Sequence, residues 1–433
     1  MAGRHARALS GEPLLTLTLT AEERAWAAGE ATGPARAMAL RIVAETARIL
    51  GASRLIAIAS AHIDGCLYHG DSGTEFAEKL VAGGGKVAVP STLNVGALDL
   101  IHPKRVHADR HRYDMALRMM RAYEALGCRP TWTCAPYQAG HRPELGEQVA
   151  WGESNAVAFV NSVLGARSNR YGDFLDIAAA IAGRAPYAGL HLAENRRARV
   201  VLETSALSAA LKASDAFYPV LGTLLGREVG STVAAIVGLP AGVSEDRLKA
   251  LGAAAASTGA VGLFHVVGTT PEAPTLAAAL GELPPERIIR VTAQMLRQAR
   301  DSLSTAEGER IDAIALGSPH FSLEEFAELE RLAAGRRFAL PFYVCSGRGV
   351  LKALETEGRL AALERQGVIA VADTCVVVTP ILPAGGGVLM TNSGKFAHYT
   401  PGNTGWQVVY GSLADCVATA LSGRLERDER LWQ

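Results

Sequence analysis

Short apolar runs alternate along the chain with stretches whose hydrophobic positions recur at helical spacing, the pattern of an α/β protein built on largely parallel sheets. Residues 22–50 read as helix interrupted around 29–34, and 54–60 (RLIAIAS) read as a buried strand ending in polar residues. The alternation continues with helix 73–81, strand 86–89, helix 109–126 and strand 130–134. Further strands are predicted at 231–237, 261–267, 287–291, 311–316, 338–344 and 368–372, with helices at 245–256, 293–302, 323–334 and 413–422 between or after them. A chain of 433 residues exceeds the roughly 250 to 300 at which a single core stops growing. Three α/β lobes are expected, over 1–200, 201–275 and 276–433; no repeat or low-complexity tract marks the joins.

Composition narrows the function classes. Forty-three Lys and Arg balance 43 Asp and Glu, which removes any global electrostatic reason to bind nucleic acid or an anionic membrane. A hydrophobic fraction of 49% excludes a mainly disordered chain. Behind Arg4 and Arg7 the apolar stretch is short and rich in Thr, unlike a secretory signal. The most apolar region, 368–390, is broken by Asp373, Pro380, Pro383 and consecutive glycines, so no spanning helix is expected. Six cysteines, without a CxxC pair, are too dilute for a disulfide scaffold and suit a reducing cytoplasm.

In parallel sheets, ligands bind beyond the carboxyl ends of strands, so polar residues after apolar runs are the candidates. The segment 60–70 (SAHIDGCLYHG) gathers His62, Asp64, Cys66, Tyr68 and His69 around glycines; a turn enclosing a buried thiol is the plainer reading. In 90–96 (PSTLNVG) the hydroxyls, amide and backbone N–H groups suit a carboxylate or phosphate, or simply cap a helix. Cys134 in TWTCAPYQ and Cys375 in ADTC sit at strand ends, where a thiol faces either a cleft or a core. In GSPHFSLEE, Ser322 and Glu325 have capping-box spacing, which leaves His320 as an acid, a base, a ligand or a hydrogen-bonded structural histidine. Lys395, in the polar, glycine-rich stretch 391–405, suits an anionic substrate group, and the phosphate-loop pattern is absent. Cys128 and Cys416 read as structural, with Cys345 intermediate.

Taken in order, SAHIDGCLYHG, STLN, TCAPYQ, WGESN (151–155), NSVLGARSN (161–169), FHVVGTTPEA (264–273), GSPHFSLEE, ADTC and NSGKFAHY resemble the large subunit of the aconitase X family over roughly residues 14 to 422. The resemblance implies an iron-sulfur hydro-lyase of aconitase-like, multi-lobe α/β/α architecture lacking the small swivelling domain. It implies dehydration of cis-3-hydroxy-L-proline to 1-pyrroline-2-carboxylate, as in bacteria, or of mevalonate 5-phosphate, as in archaea. The family's ligand positions fall on Cys134, Ser318 and Cys375, and its substrate positions on Gly65, Cys66, Leu67, Asn94, Val95 and Lys395. Ser318 departs from the Cys of many relatives, and an alcohol oxygen is a much poorer iron ligand than a thiolate. Cys66, Cys134 and Cys375 are therefore the expected metal set, with 2Fe-2S, 3Fe-4S and 4Fe-4S forms all open. A separate small subunit is expected to bring a catalytic serine.

His62, His320 and Glu153 are the acid–base candidates of this chain itself. The first loop lacks the Lys or Arg a phosphate would need, which favours the hydroxyproline substrate. A non-catalytic iron-sulfur or redox-sensing protein is the competing class.

Overall fold

The computed structural model describes residues 16–30 and 32–433. Its first sheet is parallel, in the order Ser91–Leu93, Ser60–Ile63, Val149–Trp151. Helices Gly33–Ile49, Asp71–Ala82, Arg110–Ala125 and Leu175–Ala182 bury their apolar stripes in the core beside it.

The single strand expected at 54–60 is divided. Leu55–Ala57 pairs antiparallel with Arg184–Pro186, and the chain then steps into the sheet as Ser60–Ile63. One apolar run thus serves two short strands, and His62 lies within the sheet instead of in a loop beyond it. The strand expected at 86–89 forms instead at Ser91–Leu93. That expected at 130–134 reduces to a bridge between Thr92 and Arg129, because Trp132 adopts φ 43° and breaks the pleat.

The second sheet is parallel in the order Phe264–Val266, Ala234–Val237, Val200–Glu203, Arg287–Arg290. A division at residue 275 would assign Arg287–Arg290 to the third lobe, but that strand pairs with Val200–Glu203 in the middle one. The capped helix Leu276–Leu280 is part of the connection leading to it.

The third sheet is parallel in the order Val368–Ala372, Phe342–Ser346, Ala313–Phe321, Val388–Thr391, Gln407–Tyr410. Its central strand shifts register between Leu316 and Phe321. Gly317 there has φ 93°, and a Cβ would lie 2.0 Å from the Cys345 carbonyl oxygen, so only glycine allows the approach. Ser322 and Glu325 form the expected capping box, fixing helix Leu323–Ala333 at the strand's end. Among the described residues no helix is long and apolar enough to cross a membrane.

Candidate active site

Strand register builds one wall of the site. His62 lies opposite Thr92 and Trp151 on its two neighbours. Because side chains of a strand alternate between faces, the next residues of that facing are Asp64, Asn94 and Glu153, just past the carboxyl ends. They interact: the Asn94 amide donates to Asp64 Oδ1, and the Glu153 charge bears on Asp64. Beneath this layer, His62 Nδ1 and His141 Nδ1 both bond Thr92 Oγ1, at 2.9 and 2.7 Å, and both rings pack on Trp151. Burial holds His62 well below the ordinary imidazole range.

Glu153 caps helix Ser154–Phe159 by accepting from the Ala156 N–H at 2.6 Å, and it also accepts from the Asn155 amide. Its other oxygen receives the Lys395 ammonium from the third lobe. These side chains are only 4% and 15% exposed, so the pair joins two lobes in a largely dry setting. Burial alone would raise the Glu153 carboxyl, yet Lys395 and the Ala156 and Asn155 N–H groups hold it below the usual range. Burial likewise opposes the Lys395 charge, but Glu153 and the nearby Cys134 keep its pKa above the ordinary lysine range. Lys395 is on helix Gly394–Thr404, whose capping Ser393 hydroxyl donates to the Ser318 carbonyl.

Two thiols approach the same place. Cys134 Sγ accepts the His320 backbone N–H at 3.3 Å, and Cys375 is supported by the Val377 and Val378 N–H groups. Burial pushes Cys134 up to about 12 and raises Cys375, against the pull of Lys395 on both. Cys345 is also buried within electrostatic reach of both.

His320 braces the two loops. Its Nε2 lies 3.2 Å from the Thr374 carbonyl, which can only accept, so Nε2 carries the proton and Nδ1 accepts from the Thr133 hydroxyl at 2.9 Å. Burial pushes its pKa down to about 4, leaving a neutral ring with both nitrogens engaged.

Cys66 is set differently. Its thiol points to the backbone carbonyls of Ile63, Asn94 and Val95 at 3.4, 3.6 and 3.9 Å, and the acids bearing on it are Asp64, Asp176 and Cys128. Burial raises it well above the ordinary thiol range. The Gly96 N–H, however, donates to the Asp373 carbonyl at 2.7 Å, tying the loop over Cys66 to the one bearing Cys375. Leu67 and Val95 are buried, and Gly65 donates its N–H to Asp176.

No three His, Cys, Asp or Glu side chains among the described residues gather closely enough for a single metal ion. What does converge, two thiols with backbone N–H donors and a cation at hand, suits an iron-sulfur cluster, whose thiolates are held and tuned by N–H···S bonds.

Asp176 lies in no motif, and Asp64 was named only as a member of the SAHIDGCLYHG loop. Asp176 Oδ2 accepts the Asp64 and Gly65 N–H groups at 2.6 and 2.9 Å, shaping the first loop, and burial pushes it up to about 7. Asp64 also rises to about 7, through burial and the charges of Glu153, Asp173 and Asp176. Its place in SAHIDGCLYHG was visible, but its facing required the register of three strands.

Profiles of the aconitase X first, second and third domains match residues 16–194, 198–301 and 311–422. The chain belongs to the aconitase X family. The crystal structure of Thermococcus kodakaraensis aconitase X in its holo-form superposes with a TM-score of 0.83 at 34% identity, covering 93% of this chain and all of that one. Cis-3-hydroxy-L-proline dehydratase of Pseudomonas aeruginosa is 46% identical over 94% of this chain and 70% of its own length. The protein of the same name from Hypocrea jecorina is 41% identical over 96% of this chain and 71% of its own length. The phosphomevalonate dehydratase large subunit of Methanothermobacter thermautotrophicus is 39% identical over 86% and 91%. This aconitase X chain is accordingly a hydro-lyase of α/β fold. The family's three domains each contain one of the three parallel sheets, so its second junction falls after Arg287–Arg290.

The Asp176 carboxyl of this aconitase X chain gives its stability a pH dependence. A folded pKa of about 7 lies above the roughly 3.9 of an unfolded aspartate, so the folded chain holds the proton more tightly between those values. This contribution favours folding near pH 4 and is lost as the pH rises through 7. Asp176→Asn keeps an oxygen for the Asp64 and Gly65 N–H groups and should flatten the fall in melting temperature across that window. A slope equal to the wild type's would place the proton elsewhere.

Proposed function

We propose that this chain is the large subunit of a cytoplasmic iron-sulfur dehydratase that converts cis-3-hydroxy-L-proline to 1-pyrroline-2-carboxylate in hydroxyproline degradation. The observation that carries the substrate choice is the charge of the wall. The carboxyls of Glu153, Asp173 and Asp176 all bear on Asp64, and the cation that answers them there, Lys395, is already shared with Glu153. Arg170 turns its guanidinium to the Ala256 carbonyl at 3.4 Å. Such a wall suits an amino acid better than a phosphate ester. The names of the bacterial and fungal relatives support the same choice.

Elimination of water needs a base for the proton beside the carboxylate and an electrophile for the hydroxyl. When bound, a cluster with an open iron position supplies a Lewis acid for that hydroxyl. Cys134 and Cys375 are its proposed holders, with Cys66 as the third, reached by movement of the 94–96 loop. Lys395 and the loops at 65–67 and 94–95 take the substrate carboxylate. Glu153 aims Lys395, and neutral His320 keeps the two thiol loops in place. The base is a serine of a separate small subunit. In support, the chain spans 91% to 98% of the three archaeal relatives first in similarity, all named large subunits.

The test is direct assay of both candidate substrates with the protein purified anaerobically together with its small subunit. Loss of cis-3-hydroxy-L-proline with formation of the pyrroline is expected. Consumption of mevalonate 5-phosphate alone would reverse the substrate choice, and inertness toward both would favour the non-catalytic reading.

A further inference from the structure

The site described above draws its side chains from the first and third lobes, yet a charge pair of the middle lobe is tied to it on two sides. Helix Glu245–Thr258 of that lobe carries Asp246 and Lys249 one turn apart, with Lys249 Nζ 2.7 Å from Asp246 Oδ1. The Lys249 side chain is 1% exposed, and its remaining donors reach into the third lobe, to Glu325 Oε2 at 2.6 Å and to the His320 carbonyl at 3.2 Å. All three ammonium hydrogens are thus engaged, and the two carboxylates keep the group charged against burial. Asp246 in turn binds both neighbouring lobes. Its Oδ1 accepts from the Gln138 amide of the first lobe at 2.9 Å, and its Oδ2 from the Ser322 hydroxyl of the third at 2.6 Å. Gln138 lies in the short helix Pro136–Ala139 that follows Cys134, and His320 is the residue whose backbone N–H bonds Cys134 Sγ. One Lys–Asp pair therefore holds both segments whose meeting makes that N–H···S bond.

We propose that Lys249 and Asp246 are positioning residues for the thiol centre, setting the bond from the His320 N–H to Cys134 Sγ. They act through other residues: Lys249 fixes the carbonyl of His320, Asp246 fixes the segment after Cys134, and the helix that carries both keeps the two attachments at a constant separation. For stability alone, apolar side chains of similar volume often serve as well as a buried charge network, whereas directed hydrogen bonds hold the two segments in one register. An N–H donor stabilises the more negative, reduced form of an iron-sulfur centre, so the length of this bond bears on both potential and iron retention. The role rests on the cluster reading above.

The experiment compares three variants of the anaerobically purified complex by redox titration of its visible absorbance and by the rate of iron loss to a chelator. Lys249→Met removes the tie to His320, and Gln138→Leu cuts the tie to the Cys134 segment without changing any charge. Arg142→Ala breaks the neighbouring, half-exposed Arg142–Glu245 pair, which also joins the first and middle lobes but bonds neither Gln138 nor His320. Lys249→Met should lower the reduction potential and raise the rate of iron loss about tenfold to a hundredfold, the usual cost in metal affinity of losing an outer partner. Removing a positive charge lowers the potential by itself, so the uncharged Gln138→Leu separates position from charge; it should shift both readouts in the same direction, by less. Arg142→Ala should match the wild type. Wild-type values in Gln138→Leu, or equal changes in Arg142→Ala, would overturn the proposal. Should Lys249→Met fail to fold, the other two variants still decide. A complex that holds iron and sulfide yet responds to none of these changes sinks the positioning role alone; a wild-type complex free of both sinks the cluster reading with it.

Discussion

Cys134→Ser and Cys375→Ser are each expected to strip the purified protein of most of its visible absorbance and bound iron, and to lower turnover by about a hundredfold to ten-thousandfold. The range corresponds to a Lewis-acid contribution of several kcal/mol at 1.36 kcal/mol per factor of ten. These thiols are separated by 241 positions yet share a buried neighbourhood with Lys395 and Glu153, and each has backbone N–H support. Serine keeps the size but replaces a thiolate with a far weaker ligand. Iron and sulfide analysis of anaerobic preparations provides the readout independently of activity. Cys416→Ser serves as a control that should retain colour, since its thiol is buried in the core of the third lobe, away from this site. Colour that survives in both Cys134→Ser and Cys375→Ser would remove the cluster from this pocket. Comparing Cys66→Ser with Cys345→Ser then identifies the third thiol.

Lys395→Met should destabilise the protein by about 3 to 5 kcal/mol, the usual cost of leaving one member of a buried ion pair without its partner. On a lobe of this size that is a fall in melting temperature of roughly 6 to 20 °C. The cost arises because Glu153 loses the cation that holds its carboxyl low and must either stay charged beside Asp64 or take up a proton in a buried setting. The double variant Glu153→Gln with Lys395→Met removes both charges and should recover much of the stability while remaining without activity, because the carboxylate anchor is still missing. Stability that stays low in the double variant would mean that packing, not charge, dominates the site.

Local chemistry was legible and long-range assembly was not. The capping box at Ser322 and Glu325 could be read from spacing, and the strand at 368–372 was placed to the residue because an uninterrupted apolar run ends at a polar turn. The run RLIAIAS was misplaced because its apolar residues serve two strands, one antiparallel and one parallel, which no periodicity distinguishes. Residues 391–405 read as a loop, since glycines and Pro401 argue against a helix. In the fold, Ser393 caps a helix there that is held by packing, and so Lys395 sits in a first turn. His320 remained ambiguous because its two partners, Thr133 and Thr374, lie far off in sequence on either side. The metal and substrate positions came from family resemblance, not from pattern.

The Glu153–Lys395 pair has a bearing on how the enzyme opens and shuts. One carboxylate of the first lobe and one ammonium of the third form a clasp between them. On the proposed role of Lys395, an arriving substrate carboxylate would compete for the same ammonium and relax the clasp as it fills the cleft. Occupancy and interlobe stiffness would then be set against each other, the empty enzyme being the more tightly fastened.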